Sequence, residues 1–180
     1  MKEKNKLFIP YVITLIGTIM MTLLLVLPFT TATDEYAERL DRFADTDVYK
    51  GLSLTCADVK NVSLVDYARI YVAVGENFWK NEYAGWIYAG LIAAIGLFSL
   101  IAVIKAIRKK PIGIIISTIF TMITVAIFNW DLSARHVVQN ENYVWGVAHY
   151  CYYIIPIIII VGSICLLYTS DAADDRISVD

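Results

Sequence analysis

Asp131, Arg135, His136 and His149 fall within NWDLSARHVVQNENYVWGVAHYCYY, the one stretch of this 180-residue chain that mixes carboxylate, guanidinium and imidazole groups. An acid and a base four residues apart on a helix face one another and can pair. A metal site asks for three or four ligands at close spacing, whereas the two histidines stand apart, with an aromatic run between them. The expectation is therefore a structural ion pair, Asp131 with Arg135, tying the third apolar segment to the loop after it. No metal is expected. There is no glycine-rich phosphate loop, no HExxH and no GxSxG, and Cys56, Cys151 and Cys165 contain no CxxC. That spacing removes a zinc knuckle and a dithiol redox centre. No cofactor is expected, and the chain is expected not to be an enzyme.

The elements that must position these groups follow from hydropathy. Apolar residues make up 58% of the chain, against about 45–50% in ordinary soluble domains. The excess sits in four uncharged runs, Leu7–Phe29, Tyr83–Ile104, Pro111–Trp130 and Asn142–Ser170. Roughly 20 apolar residues cross a bilayer as a helix, and lipid obliges each segment to satisfy its own backbone polar groups. The sequence predicts an all-α membrane protein, a four-helix transmembrane bundle with spans at 7–29, 83–107, 111–130 and 146–168. Lys2, Lys4 and Lys6 with Thr30-Thr31-Ala32 would also suit a cleaved signal peptide. The apolar stretch exceeds the usual h-region of about 7–15 residues, so an uncleaved anchor is expected.

Basic residues set the expected orientation. Lys2, Lys4 and Lys6 precede the first span, and Lys105, Arg108, Lys109 and Lys110 crowd the turn at 108–110. The positive-inside rule makes these cytoplasmic anchors, with binding of anionic lipid head groups a minor addition. Segment 30–82 carries six basic and ten acidic residues, net −4, and is expected outside, as is the loop 131–145. Trp79, Tyr83, Trp86, Tyr88, Trp130, Tyr143 and Trp145 gather at the same boundary, as an interfacial belt would. Both termini, 1–6 and 169–180, are then cytoplasmic.

Segment 30–82 is too long for a bare connection and is read as a small, mostly helical extracellular cap. Thr33 can cap a helix opening on Asp34 and Glu35, with Glu38 and Arg42 as an i,i+4 pair. Gly51 should break the chain, and Val48–Leu54 alternates weakly, as a short extended piece would. Ser63-Leu64-Val65-Asp66 reads as a capping box, opening a helix with a stripe of Leu64, Ala68, Tyr71 and Val72. In span two, Ala89, Gly90, Ala93, Ala94 and Gly96 are small residues at the spacing that lets helices approach closely. Hydroxyls recur at Thr14, Thr18, Thr22 and at Ser117, Thr121, Thr124. They are expected to bond the carbonyl one turn back, the other reading being a polar path.

IPYVITLIGTIMM, VSLVDYARIY, KKPIGIII and NWD followed by YVWGVAHY together resemble small four-span membrane proteins of unknown function from Gram-positive bacteria, over about residues 7–164. The resemblance implies a fold and no activity. The loop lengths are also similar to those of claudin-type tetraspans, but GLSLTC lacks that family's tryptophans and second cysteine. At the other end, CLLYTSDAADD, Cys165–Asp175, resembles a translation of the transposon adapter used in sequencing libraries. That likeness implies a native span four continuing differently after Ile164 and a tail, 169–180, with no part in the fold.

The resulting expectation is a non-enzymatic accessory or scaffold component of the cell envelope, in contact with lipid and with other membrane proteins or itself through span two. The alternative is a small oligomeric transporter or channel. No nucleic-acid partner is expected. The adapter likeness is checked in the nucleotide sequence: Cys165-Leu166-Leu167-Tyr168 should be encoded TGT CTC TTA TAC. Any other leucine codon pair would refute it.

Overall fold

The computed structural model describes residues 2–50, 52–79 and 82–177; Gly51 and the surroundings of 169–180 lie outside what is described. Helix α1 (Lys2–Leu23) runs through Pro10 and tightens into a 3-10 turn at Leu24–Val26. It stops short of Phe29 for a local reason. Pro28 has no N–H to donate and disfavours helical backbone in the residue before it; Leu27 is extended, with φ −86° and ψ 156°. Pro28–Ala32 then forms strand β1.

Two further strands flank it. β2 (Asn61–Ser63) and β3 (Tyr143–Trp145) pair antiparallel with the two edges of β1, giving the order β2-β1-β3. Thr30 lies opposite Val62 on one side and Trp145 on the other. The cap holds more than the expected helices: a small three-stranded sheet joins the first long loop to the second. Three-residue strands are too short to show an alternating pattern, and β3 comes from another part of the chain.

Two helices complete the cap. α2 (Asp34–Asp41) lacks the expected side-chain cap, because the Thr33 hydroxyl donates instead to the Glu141 carbonyl at 2.7 Å. Its ion pair is Glu35–Arg39 rather than Glu38–Arg42. α3 (Leu64–Trp79) opens on a reciprocal box: Ser63 Oγ accepts from the Asp66 amide at 3.1 Å, and Asp66 accepts from the Ser63 amide at 3.2 Å. Leu64, Tyr67 and Tyr71 are its buried face, while Val72 is exposed. Segment 48–54 is closed at its base by an isolated bridge, Asp47 with Thr55, and by the Val48 amide donating to the Leu54 carbonyl at 2.9 Å.

Four helices are long and apolar enough to cross a membrane, over Phe8–Val26, Tyr83–Ile107, Pro111–Ala134 and Val147–Tyr168. They belong to α1, α4 (Glu82–Ile107), α5 (Pro111–Ala134) and α6 (Val147–Ile177). Each packs on two neighbours, in the ring α1-α4-α5-α6, and α3 lies against α4. Ile92, Ile95, Val125, Phe128 and Ile159 fill the interior, while Ile16, Ile87, Leu97, Ile123 and Ile157 face outward.

α4 and α5 end without glycine. Lys109 (φ 53°) and His136 (φ 52°) take the left-handed position, and the next amides, Lys110 and Val137, reach back to the carbonyls of Lys105 and Leu132. This is the Schellman closure of a helix end. His136 therefore has a backbone role.

Close approaches in the bundle do not run through the small residues expected of span two. Gly90 faces outward with nothing within 4 Å of where a Cβ would stand, Ala93 is exposed, and Gly96 meets only the Leu25 side chain, at 3.3 Å. Ala89 and Ala94 are half-buried. The tight crossings are elsewhere. A Cβ on Gly85 would collide with the Tyr71 carbonyl, and one on Gly146 would stand 2.5 Å from the Pro28 carbonyl. Both obstacles are backbone and cannot swing aside. Gly146→Ala should accordingly destabilise by about 1–3 kcal/mol, the usual cost of overpacking. Gly90→Ala should be neutral or mildly stabilising, since alanine is the better helix former. Thermal unfolding of both variants in detergent checks this; equal losses would refute the assignment of faces.

Candidate functional site

The charged pair near the membrane boundary is built from three helices. Asp131 and Arg135, one turn apart at the end of α5, form an ion pair, with side chains 14% and 26% exposed respectively. Arg135 also donates to the Tyr71 hydroxyl of α3 at 2.5 Å. The second Asp131 oxygen accepts from the Tyr88 hydroxyl of α4 at 3.0 Å. The guanidinium lies 5.1 Å from the Tyr71 ring centroid and 4.7 Å from that of Tyr88, and those two rings stack at 4.9 Å. A guanidinium is the cation suited to this place, being planar, weakly hydrated and able to stack and fork at once.

Electrostatics follow from burial. Desolvation works against the charge on Arg135, but Tyr71 and Asp131 outweigh it and hold the proton more tightly than usual. Burial pushes the Tyr67 hydroxyl up to about 12, opposed in part by its hydrogen bond with Thr30 and by Arg135. Tyr71 is raised further, also chiefly by burial. Both phenols are therefore neutral hydrogen-bonding groups at physiological pH.

Beneath the clamp lies an aromatic hub. Phe29, the second residue of β1, meets Phe128 at 5.7 Å, Trp145 at 5.9 Å, His149 at 5.7 Å and Tyr152 at 6.2 Å between ring centroids. His149 stacks on Trp145 at 3.9 Å. The Asn129 amide donates to the Tyr153 hydroxyl at 2.9 Å, and Thr30 shares a 2.8 Å hydrogen bond with Tyr67. His149 Nδ1, Asn129 Oδ1 and the Tyr152 hydroxyl are buried without a protein partner.

His136 is exposed at the helix stop and His149 lies in the hub, so the fold does not bring them to one site. Among the described residues no three His, Cys, Asp or Glu side chains gather as metal ligands, and no disulfide joins the cysteines. The basic residues occupy the opposite end of the bundle. Arg108, Lys109 and Lys110 are exposed, and the Lys109 ammonium sits 5.1 Å over the Tyr11 ring. The Lys105 stem lies along α5, with Cδ 3.0 Å from where a Gly113 Cβ would stand, as snorkelling requires.

Sequence reasoning reached Asp131 and Arg135, but neither Tyr71 and Tyr88 as their partners nor Phe29 as the centre of the hub. Tyr88 was visible only as one member of an aromatic belt, and Phe29 read as the end of a span. No family model, curated protein or solved structure matches the chain.

What this arrangement does chemically is hold. Each charge is met by an opposite charge and by a phenol, and the contacts join α3, α4 and α5. Exposed ion pairs are worth about 0.2–1 kcal/mol, and removing one partner of a buried pair costs about 3–5 kcal/mol. For this half-buried pair, a double-mutant cycle of Asp131→Ala and Arg135→Ala should give a coupling of about 1–3 kcal/mol. Arg135→Lys should recover little of the loss, since an ammonium neither stacks nor forks. Unfolding in detergent reads both; a coupling near zero would remove the clamp.

Proposed function

We propose that the protein is a multi-pass integral membrane protein of the cell envelope, acting without catalysis as an accessory or scaffold. Its work is to hold a rigid extracytoplasmic cap over the bundle and to meet neighbouring membrane proteins, or copies of itself, laterally. The observation that carries this reading is the use made of the Asp131–Arg135 pair. Both charges are engaged by Tyr71 and Tyr88 across three helices, an arrangement that fixes the cap in place.

The orientation proposed is cap outward and both termini cytoplasmic, with Lys105, Arg108, Lys109 and Lys110 as anchors. It is supported by the placement of this basic turn at the end of α4 and α5 remote from the sheet, as the positive-inside rule asks.

A second reading, a small transporter or channel, draws on the polar interior. Thr14, Thr118 and Ser163 are buried hydroxyls without a protein partner. Against it, Thr18, Thr22, Ser117, Thr121 and Thr124 each donate to a carbonyl of their own helix, at 2.8–3.1 Å. Most of the hydroxyl rows are thus spent on backbone.

Two measurements test the proposal. In a background lacking Cys56, Cys151 and Cys165, Asp45→Cys should react with an impermeant thiol reagent on intact cells and Arg108→Cys should not. Purified protein in liposomes loaded with small polar solutes should leave efflux at the protein-free rate. Reaction at Arg108→Cys alone would invert the topology, and protein-dependent efflux would replace the scaffold with the transporter.

A further inference from the structure

Each of the four spans contributes at least one fully enclosed hydroxyl. Thr14 of α1, Ser99 of α4, Thr118 of α5 and Ser163 of α6 are all 0% exposed. They lie six, eight, seven and five residues from the basic-end limits of their spans, Phe8, Ile107, Pro111 and Tyr168. At 1.5 Å of rise per residue that is one depth, roughly 8–12 Å in from the end. Neighbouring helix axes in such bundles stand about 8–10 Å apart, so inward-facing side chains at one depth share a layer.

Three of the four hydroxyls in this layer differ from the rest. Ser99 donates to the Gly96 carbonyl at 2.9 Å, as the threonines nearer the sheet donate to theirs. Thr14, Thr118 and Ser163 do not turn back onto their own helices and have no protein partner. The Thr14 oxygen is aimed across to α6, 2.5 Å from where a Cβ on Gly162 would stand, beside Ser163. Apolar residues flank the layer on both sides, joined on the sheet side by Thr18 and Thr121, whose hydroxyls are spent on their own helices. Ala106, Ile114 and Leu166 lie toward the basic end, and Ile95 and Ile159 toward the sheet.

We propose that this layer is a binding site for ordered water, held inside the bundle by Thr14, Thr118 and Ser163. A hydroxyl brings one donor and two lone pairs. Three that ignore their own carbonyls need a partner able both to give and to accept. Water is the smallest such partner, and buried waters commonly make about three hydrogen bonds to polar groups that lack other partners. The layer carries no charged side chain, so nothing in it selects an ion. Bridged in this way, α1, α5 and α6 are tied at one level by polar contacts. The inference stands apart from the scaffold reading and needs neither orientation.

Water-edited solid-state NMR on the wild-type protein in bilayers tests it without a variant. Magnetisation from water should reach Thr14, Thr118 and Ser163 faster than it reaches Ile95 and Ile159. Build-up at the hydroxyl residues as slow as at those two isoleucines would overturn the proposal. The isosteric Thr14→Val should then abolish the fast build-up at Ser163, because the two residues hold the same water. Retained fast build-up at Ser163 in a folded Thr14→Val protein would equally overturn a shared site.

Discussion

A strand placed between two others must have both rows of its backbone polar groups met, and β1 stands in that position. It leaves the first apolar helix at a proline and is paired on one edge by β2 and on the other by β3. Unpaired amides and carbonyls near a membrane cost several kcal/mol each, so this pairing dictates the path of both loops. The second loop must approach the first. Thr33 must face Glu141, and Gly146 must pass close over Pro28, with its amide donating to the Phe29 carbonyl at 2.8 Å. Phe29 is then directed into the bundle, where it becomes the centre of the aromatic hub.

The clamp of Asp131 and Arg135 supplies the complementary restraint. The sheet fixes the cap through main-chain bonds beside α1 and α6, and the clamp fixes α3 against α4 and α5 through side chains. A charge at this depth is expensive unless paired, which explains why two tyrosines and a carboxylate surround one guanidinium. Between them the two devices reach all four spans. The cap is consequently part of the bundle rather than an appendage to it.

The spans were legible because a run of about twenty uncharged residues needs no tertiary information to be recognised. The Ser63–Asp66 box was legible for the same reason, its four groups lying within one turn. Elements that depend on distant partners were not. Thr33 is a good capping residue, but Glu141 takes its hydroxyl. β2 and β3 have three residues each and exist only because β1 lies between them. Gly90 and Gly85 stand five positions apart in one helix, and only the path of α3 decides that Gly85 is the one under pressure. Likewise the partners of Arg135 come from α3 and α4, so its distance from Asp131 along the chain revealed only one side of its surroundings.

The sheet also imposes an order on synthesis. β1 follows the first span, but β3 is made more than a hundred residues later, and contacts so remote along the chain form late. Until the fourth span arrives, β1 has at most one neighbour and keeps an open hydrogen-bonding edge, a template to which any extended segment can add. A ribosome that stops before Tyr143 would release a chain with its spans largely made and that edge uncovered. The loop between α5 and α6 is thus the latch that closes the last open edge of the nascent chain.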